Sequence, residues 1–280
     1  MKTGGIRDFM EITTRIGCPV NCDFCPQSLL IKEYKKRSDI QIMSLDDYKT
    51  MIDKLPKTLR IDFSGMAEPW ANPNCTDMVL YTFNSGHWDI GIFTTGVGMS
   101  IEDVEKIKHI PFLKFVLHLP DKEKYSKIKV NDEYIKLIQA IKDANMLNFD
   151  TMTMGTPLDV FVEMFGTIKT SDMHSRAGNQ DNTKADKRHI GPISCLGDIE
   201  PKRNELLPNG DVALCCNDYG LKHIIGNLLT NDYETMFTSD EFNKIKNGLI
   251  HNDKLDILCR QCIYTTPMKL KNEQIKDTHG

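Results

Sequence analysis

No stretch of this 280-residue chain runs for the ~20 apolar residues that a helix needs to cross a bilayer, which excludes a helical membrane span. No secretory signal is present either, because the first residues, Met1 to Asp8, are polar and glycine-bearing. Neither sign of charge is in excess. The formal net charge is −4 with acids and bases interspersed, so a nucleic-acid partner gains no electrostatic support. Internal repeats and low-complexity tracts are also missing, which argues against a repeat array.

What is present suits a folded core with a polar surface: 40% hydrophobic and 26% charged residues. The length allows one large α/β domain, alone or with a small appendage. Nine cysteines without a secretory signal point to a reducing compartment, where thiols serve metals and not disulfides. The expected location is the cytoplasm.

The first two thirds alternate short β-branched runs with helical patterns, as parallel βαβ units do. Strands are expected at Phe9–Thr14, Thr58–Ser64, Trp88–Thr94, Leu113–Leu119 and Phe149–Met154, with a short one near Met173–Arg176. Ser44 with Asp47, and Ser100 with Asp103, read as capping pairs for helices over Leu45–Leu55 and Ile101–Ile107. Asn131 can cap Asp132–Ala144, and Gly86 sits where a helix from Asn74 should stop. These units predict an α/β fold, a partial (β/α)6 TIM-like barrel with ligands at the C-terminal strand ends. From Ser175 to Ile193 the chain reads as a polar linker, with Gly178, Asn179, Asp181, Asn182, Lys184, Asp186 and Lys187. Beyond it, Leu206–Pro208, Asn209-Gly210 and Asp211–Cys215 read as a hairpin with a type I′ turn. Helices over Tyr233–Phe237 and Asp240–Asn247 follow, and the charged tail after Met268 is expected to fray.

Cys18, Cys22 and Cys25 form a C-x3-C-x2-C loop directly after the first strand. Three thiolates on one loop can hold three corners of a cubane iron–sulfur cluster and leave one iron open for chemistry. A structural zinc would need a fourth protein ligand, and no histidine or fourth cysteine lies nearby in sequence. With Phe24 before the third cysteine, the loop resembles the signature of the radical S-adenosylmethionine (radical SAM) enzymes. That resemblance implies a [4Fe–4S] cluster whose open iron takes the cofactor's amine and carboxylate. One electron then cleaves the sulfonium to a 5′-deoxyadenosyl radical, which abstracts hydrogen from carbon.

Cys195, Cys215, Cys259 and Cys262, with Gly210 and Cys215 as a G-x4-C step and Cys259–Cys262 as a C-x2-C pair, resemble the Twitch module, a shortened SPASM. The resemblance implies a second, fully ligated [4Fe–4S] cluster; the spacing alone also admits a four-cysteine zinc site. It sets a radical SAM barrel at residues 8–185 and a Twitch domain at residues 190–268. Cys216 is either packing beside a ligand or a thiol that returns a hydrogen atom to substrate. Cys75, at a helix start, reads as structural.

Ser64-Gly65-Met66-Ala67-Glu68-Pro69 is similar to the family's Gly-Gly-Glu strand end, which receives the cofactor's amino group. Because two residues separate Gly65 from Glu68, backbone carbonyls are expected to carry that contact, with Glu68 facing substrate. Taken alone, it is an ordinary strand-to-loop turn. Thr94-Thr95-Gly96 is similar to the Thr-Asn-Gly near the cofactor's ribose. His118 reads either as a group facing cofactor or substrate, or as a hydrogen-bonded core histidine. Arg176 reads either as a buried fork for a substrate oxygen or the cofactor carboxylate, or as a surface residue of the linker. Asn179, Asp150 and Asp159 receive no role.

The expected function is oxidation, or epimerisation, at an alcohol-bearing carbon of a carbohydrate or aminocyclitol-like molecule. Asp211–Cys216 and Gly226-Asn227-Leu228 resemble radical SAM proteins of surface-polysaccharide assembly, in line with a carbohydrate. The expected partners are such a substrate and a flavodoxin- or ferredoxin-type electron donor, with no nucleic acid and no membrane. A peptide-modifying maturase is a rival, weakened because about eight residues precede the first strand. A zinc- or cluster-stabilised binding module is the non-enzymatic one.

Overall fold

A computed structural model of the chain describes residues 8–180 and 187–268. Strand β1 (Phe9–Ile12) alternates in burial, so Met10 and Ile12 enter the apolar core while Glu11 lies on the opposite face. The chain continues through α1 (Gln27–Tyr34), α2 (Leu45–Ile52), β2 (Arg60–Phe63), α3 (Cys75–Asn84), β3 (Ile90–Thr94) and α4 (Ile101–Ile107). Next come β4 (Lys114–His118), α5 (Asp132–Asp143), β5 (Phe149–Thr153), α6 (Asp159–Phe165) and β6 (Lys169–Thr170). Strands β1 to β6 lie in sequence order, each parallel to the next, as a partial (β/α)6 barrel requires. The cap signals act as read: Ser44 accepts from Asp47 N, Asn131 accepts from Tyr134 N, and Ser100 with Asp103 closes a capping box.

The remaining elements are β7 (Ile193–Cys195), β8 (Arg203–Leu206), β9 (Asp211–Ala213), β10 (Ile224–Asn227), α7 (Asp240–Ile250) and β11 (Thr265–Pro267). A 3₁₀ turn at Tyr233–Thr238 takes the place of the first expected helix. Strand β8 pairs in parallel with β1, and β8–β9–β10 run antiparallel, so one nine-stranded sheet spans both parts of the chain. Strands β7 and β11 form a separate antiparallel pair.

Two expectations are corrected. The sixth strand lies at Lys169–Thr170 and not at Met173–Arg176, because Met152 and Thr153 of β5 hold the earlier residues. Arg176, Ala177 and Gly178 instead take positive φ of 50°, 54° and 83°, which no strand tolerates. The hairpin is present, but its turn is not type I′. Gly210 N bonds Leu207 O, and Gly210 (φ +85°) is the turn residue at positive φ, which fits a type I turn followed by a bulge. Positions 181–186 of the expected linker, and the tail beyond Met268, lie outside the described residues.

Candidate active site

The loop after β1 carries the first three cysteines to the C-terminal ends of the strands. There Cys18, Cys22, Phe24 and Cys25 share a cleft with Gly65 and Glu68 after β2, Thr94 of β3 and Thr95 just beyond it, His118 of β4, and Arg176 beyond β6. Gln27, unflagged by the sequence and 5% exposed, braces this loop. Its Nε2 donates to Met66 O at 2.5 Å and to Cys25 Sγ at 3.2 Å, while its Oε1 accepts from Cys18 N at 3.0 Å. Glu68 N donates to Cys18 Sγ at 3.4 Å, and Tyr219 Oη lies 3.3 Å from Cys25 Sγ. Burial, then the neighbouring Cys25 and Cys18 sulfurs, push the Cys22 thiol well up; burial also raises Cys18. Three mutually crowding thiols, held with N–H donors on sulfur, fit an iron cluster whose positive charge would favour their thiolates.

Glu68 is fully enclosed, and both its oxygens are engaged. Oε1 accepts from Thr94 Oγ1 and from Trp70 N at 3.4 Å; Oε2 accepts from Thr95 N and Thr95 Oγ1, each at 2.7 Å. Four donors match the roughly four lone-pair sites of a carboxylate. Glu68 thus buckles β2 to β3. Gly65, at φ +71°, has a reason internal to the protein: a Cβ there would lie 2.2 Å from Glu205 Oε1 and 2.6 Å from Thr13 Oγ1. Pro69 O accepts from Thr14 Oγ1 at 2.8 Å, fixing the turn after Glu68.

His118 is driven down to about 4 by burial and by Arg176, so its ring is neutral at ordinary pH. Burial disfavours the Arg176 cation, but Tyr219, Cys216, Cys25 and Tyr264 around it hold its pKa above the usual value. Among the described residues its guanidinium has no carboxylate partner. Asn179 acquires a role, tying Arg176 O to Asn217 O at 2.9 and 2.8 Å. Asp150 and Asp159 pair with Lys169 and Lys122 instead.

The second cysteine group also comes together. Burial raises Cys215 and Cys259; Cys259 and Cys262 raise Cys215 further, and Cys195 and Cys262 do the same for Cys259. Buried Arg260 anchors this end by donating to His189 O at 3.2 Å and Gly191 O at 2.5 Å. His223 receives Leu258 N at 3.0 Å. Arg203 Nη1 lies 3.5 Å from Cys195 Sγ, a donor of the kind that tunes a cluster. Among the described residues, no three His, Cys, Asp or Glu side chains converge on a single metal ion. Burial raises the Cys216 thiol, and Glu11, Cys215 and Glu205 raise it further; Glu11 also hydrogen-bonds it. Cys75 is buried in the apolar core.

Two family models match: one described as the radical SAM superfamily over residues 12–169, the other, SPASM, as an iron–sulfur cluster-binding domain over residues 195–263. Among solved structures, BtrN in complex with AdoMet and 2-DOIA is similar at 16% identity and TM-score 0.57, covering 89% of each chain. SuiB of Streptococcus suis, bound to precursor peptide SuiA, is similar at 13% identity and TM-score 0.61, covering 86% of this chain and 67% of SuiB. A curated relative, a probable dual-specificity RNA methyltransferase RlmN of Exiguobacterium sibiricum, is 24% identical over 66% of this chain and 53% of its own length. The chain therefore spans about half the length of that relative.

Proposed function

The chain belongs to the radical SAM superfamily and carries a SPASM-type iron–sulfur cluster-binding domain, and on that footing we propose that it oxidises an alcohol-bearing carbon of a small carbohydrate or aminocyclitol-like molecule. When bound, a [4Fe–4S] cluster and S-adenosylmethionine supply a carbon radical able to take hydrogen from an unactivated carbon. Cys18, Cys22 and Cys25 would hold that cluster, with backbone at Gly65–Ala67 and the Thr94–Thr95 turn beside the cofactor. One observation carries the reading. Among the described residues the Arg176 guanidinium has no carboxylate partner, and its electrostatic neighbours are Tyr219, Cys216, Cys25 and Tyr264. A rigid donor fork in that place suits the oxygen of an alcohol whose carbon faces the cofactor.

Turning an alcohol into a carbonyl removes one electron and the hydroxyl proton besides the hydrogen taken from carbon. Cys195, Cys215, Cys259 and Cys262 would hold the electron acceptor. Neutral His118 donates or accepts a hydrogen bond in the chamber without adding charge. A flavodoxin- or ferredoxin-type protein in the cytoplasm would supply the reducing electron.

A second reading is epimerisation, favoured by the contact of the Cys216 thiol with Glu11. There a thiol can return hydrogen to the substrate carbon. The likeness to SuiB, with its precursor peptide, is one of fold, and the RNA methyltransferase name belongs to that relative. The test is anaerobic reconstitution and reduction, followed by product analysis with S-adenosylmethionine and candidate polyols. A two-electron-oxidised polyol formed with 5′-deoxyadenosine supports the reading; cofactor cleavage coupled only to a modified peptide or RNA overturns it.

A further inference from the structure

Across the interior face of the sheet, Glu205 of β8, Glu11 of β1 and Asp62 of β2 stand side by side in one register row. That layer of a barrel is ordinarily filled by branched apolar side chains. Asp62 is paired, accepting from Arg60 Nε at 2.7 Å. The two glutamates meet neutral donors only: Ser64 Oγ donates to Glu11 Oε1 at 2.8 Å and Thr13 Oγ1 donates to Glu205 Oε1 at 2.5 Å, with the Cys216 thiol also against Glu11 and the Thr13 backbone N–H against Glu205. Their second oxygens, Glu11 Oε2 and Glu205 Oε2, are buried with no hydrogen-bond partner among the described residues. Glu205 is itself 0% exposed.

Two neighbouring buried acceptors left open are costly unless a donor arrives from outside the chain. The Cys216 thiol beside them is a weak donor. The donor that answers them has several N–H groups and a positive charge. A multivalent metal ion is a poorer match, since no third ligand converges here among the described residues and Asp62 is turned to Arg60. An ammonium carries three donors and reaches two adjacent carboxylates at once.

We propose that Glu11 and Glu205 receive an ammonium group of the substrate, so that the substrate is an amine-bearing polyol and not a neutral sugar. This rests on the reading of the chamber as a polyol site. Arg176 then addresses a substrate oxygen, and the glutamates address the amine.

The test is calorimetric binding to the cluster-loaded protein with S-adenosylmethionine present and no reductant. The probes are matched pairs: D-glucosamine against D-glucose, and scyllo-inosamine against scyllo-inositol. The amines should bind about tenfold tighter than their hydroxyl partners, as expected for hydrogen bonds to charged groups. Glu11→Gln and Glu205→Gln should erase that preference while iron counts stay unchanged. N-acetylglucosamine, which keeps the ring and removes the charge, should bind wild-type protein no better than glucose, a comparison that holds even where a variant fails to fold. Equal binding of the neutral partners, a preference that survives both substitutions, or no binding by either amine overturns the proposal. Product analysis separates it from the reaction. An amine bound with this preference but never oxidised or epimerised refutes the reaction alone; turnover of a neutral sugar without amine preference refutes the ammonium site alone.

Discussion

Tyr219 and Cys25, 194 positions apart, meet at 3.3 Å between phenolic oxygen and sulfur, so a residue beyond the β9 strand touches the cysteine loop beyond β1. The contact follows from β8 pairing with β1, which brings the C-terminal hairpin to the edge of the barrel. A hydroxyl on a cluster sulfur stabilises the more negative, reduced state. Tyr219→Phe should leave the iron content unchanged and move the midpoint potential of the first cluster to a more negative value. An unchanged potential, measured by EPR-monitored redox titration, would show that the hydroxyl does not reach the cluster.

The two cysteine groups are expected to load independently. Replacing Cys18, Cys22 and Cys25 together with Ala should lower iron from about eight to about four per chain, each cubane holding four. Cleavage of S-adenosylmethionine should vanish in the same protein. Iron and sulfide counting after anaerobic reconstitution checks this, and retention of all the iron would sink the assignment of the first loop.

Glu68 offers a stability test. Glu68→Gln puts an amide nitrogen where either the Thr94 hydroxyl or the Thr95 N–H and hydroxyl now donate. A buried donor facing donors costs about 1–3 kcal/mol. Thermal unfolding should show a lowered Tm with the thiol loop still able to bind iron. A variant as stable as the wild type would mean that the Glu68 buckle contributes little.

Much of this frame was legible in the sequence. The strands β1 to β5 showed themselves by apolar runs, and α2, α4 and α5 by Ser44, Ser100 and Asn131, whose side chains do cap. Helices α1 and α6 escaped notice because Pro26 and Leu158 precede them and neither offers a side-chain cap. The β8–β1 pairing left no local trace, since register between Phe9 and Arg203 is set by packing across the whole fold. Gln27, Glu11 and Glu205 were invisible for the same reason: each acquires meaning from a neighbour far away in sequence. The cysteines were legible because their spacing is itself the signal.

His118 should make stability depend on pH. Burial and Arg176 depress its folded pKa to about 4 from 6.5, so the unfolded chain binds more protons between those values. The stability this neutral ring contributes is fully present above pH 6.5 and is lost as pH falls through 4. Asp62 acts with the opposite sign. Burial raises it to about 6 despite Arg60, so its contribution is present below pH 3.8 and is lost as pH rises through 6. Between about pH 4 and 6 the two slopes oppose one another. His118→Asn should therefore leave a protein whose Tm falls as pH rises across that window, and Asp62→Asn one whose Tm rises. Identical pH profiles for both variants would refute the two assignments.

The fate of hydrogen at the substrate carbon decides between oxidation and epimerisation. Cys215 is influenced by Cys259 and Cys262, whereas its neighbour Cys216 is influenced most by Glu11, which also hydrogen-bonds it. If electron removal ends the reaction, the product is oxidised by two electrons and no solvent hydrogen enters carbon. If the Cys216 thiol ends it, the product is an isomer at unchanged oxidation level. That isomer carries one deuterium when the reaction runs in heavy water, because a thiol hydrogen exchanges with solvent. Cys216→Ser keeps the shape of the chamber and both cluster-binding groups but removes a donatable hydrogen atom. Oxidation predicts the same oxidised product from this variant, in similar yield and without deuterium. Epimerisation predicts loss of the isomer while 5′-deoxyadenosine still forms, with two clusters retained by iron count. Deuterium on carbon in an isomer that depends on Cys216 would replace the dehydrogenase with the epimerase.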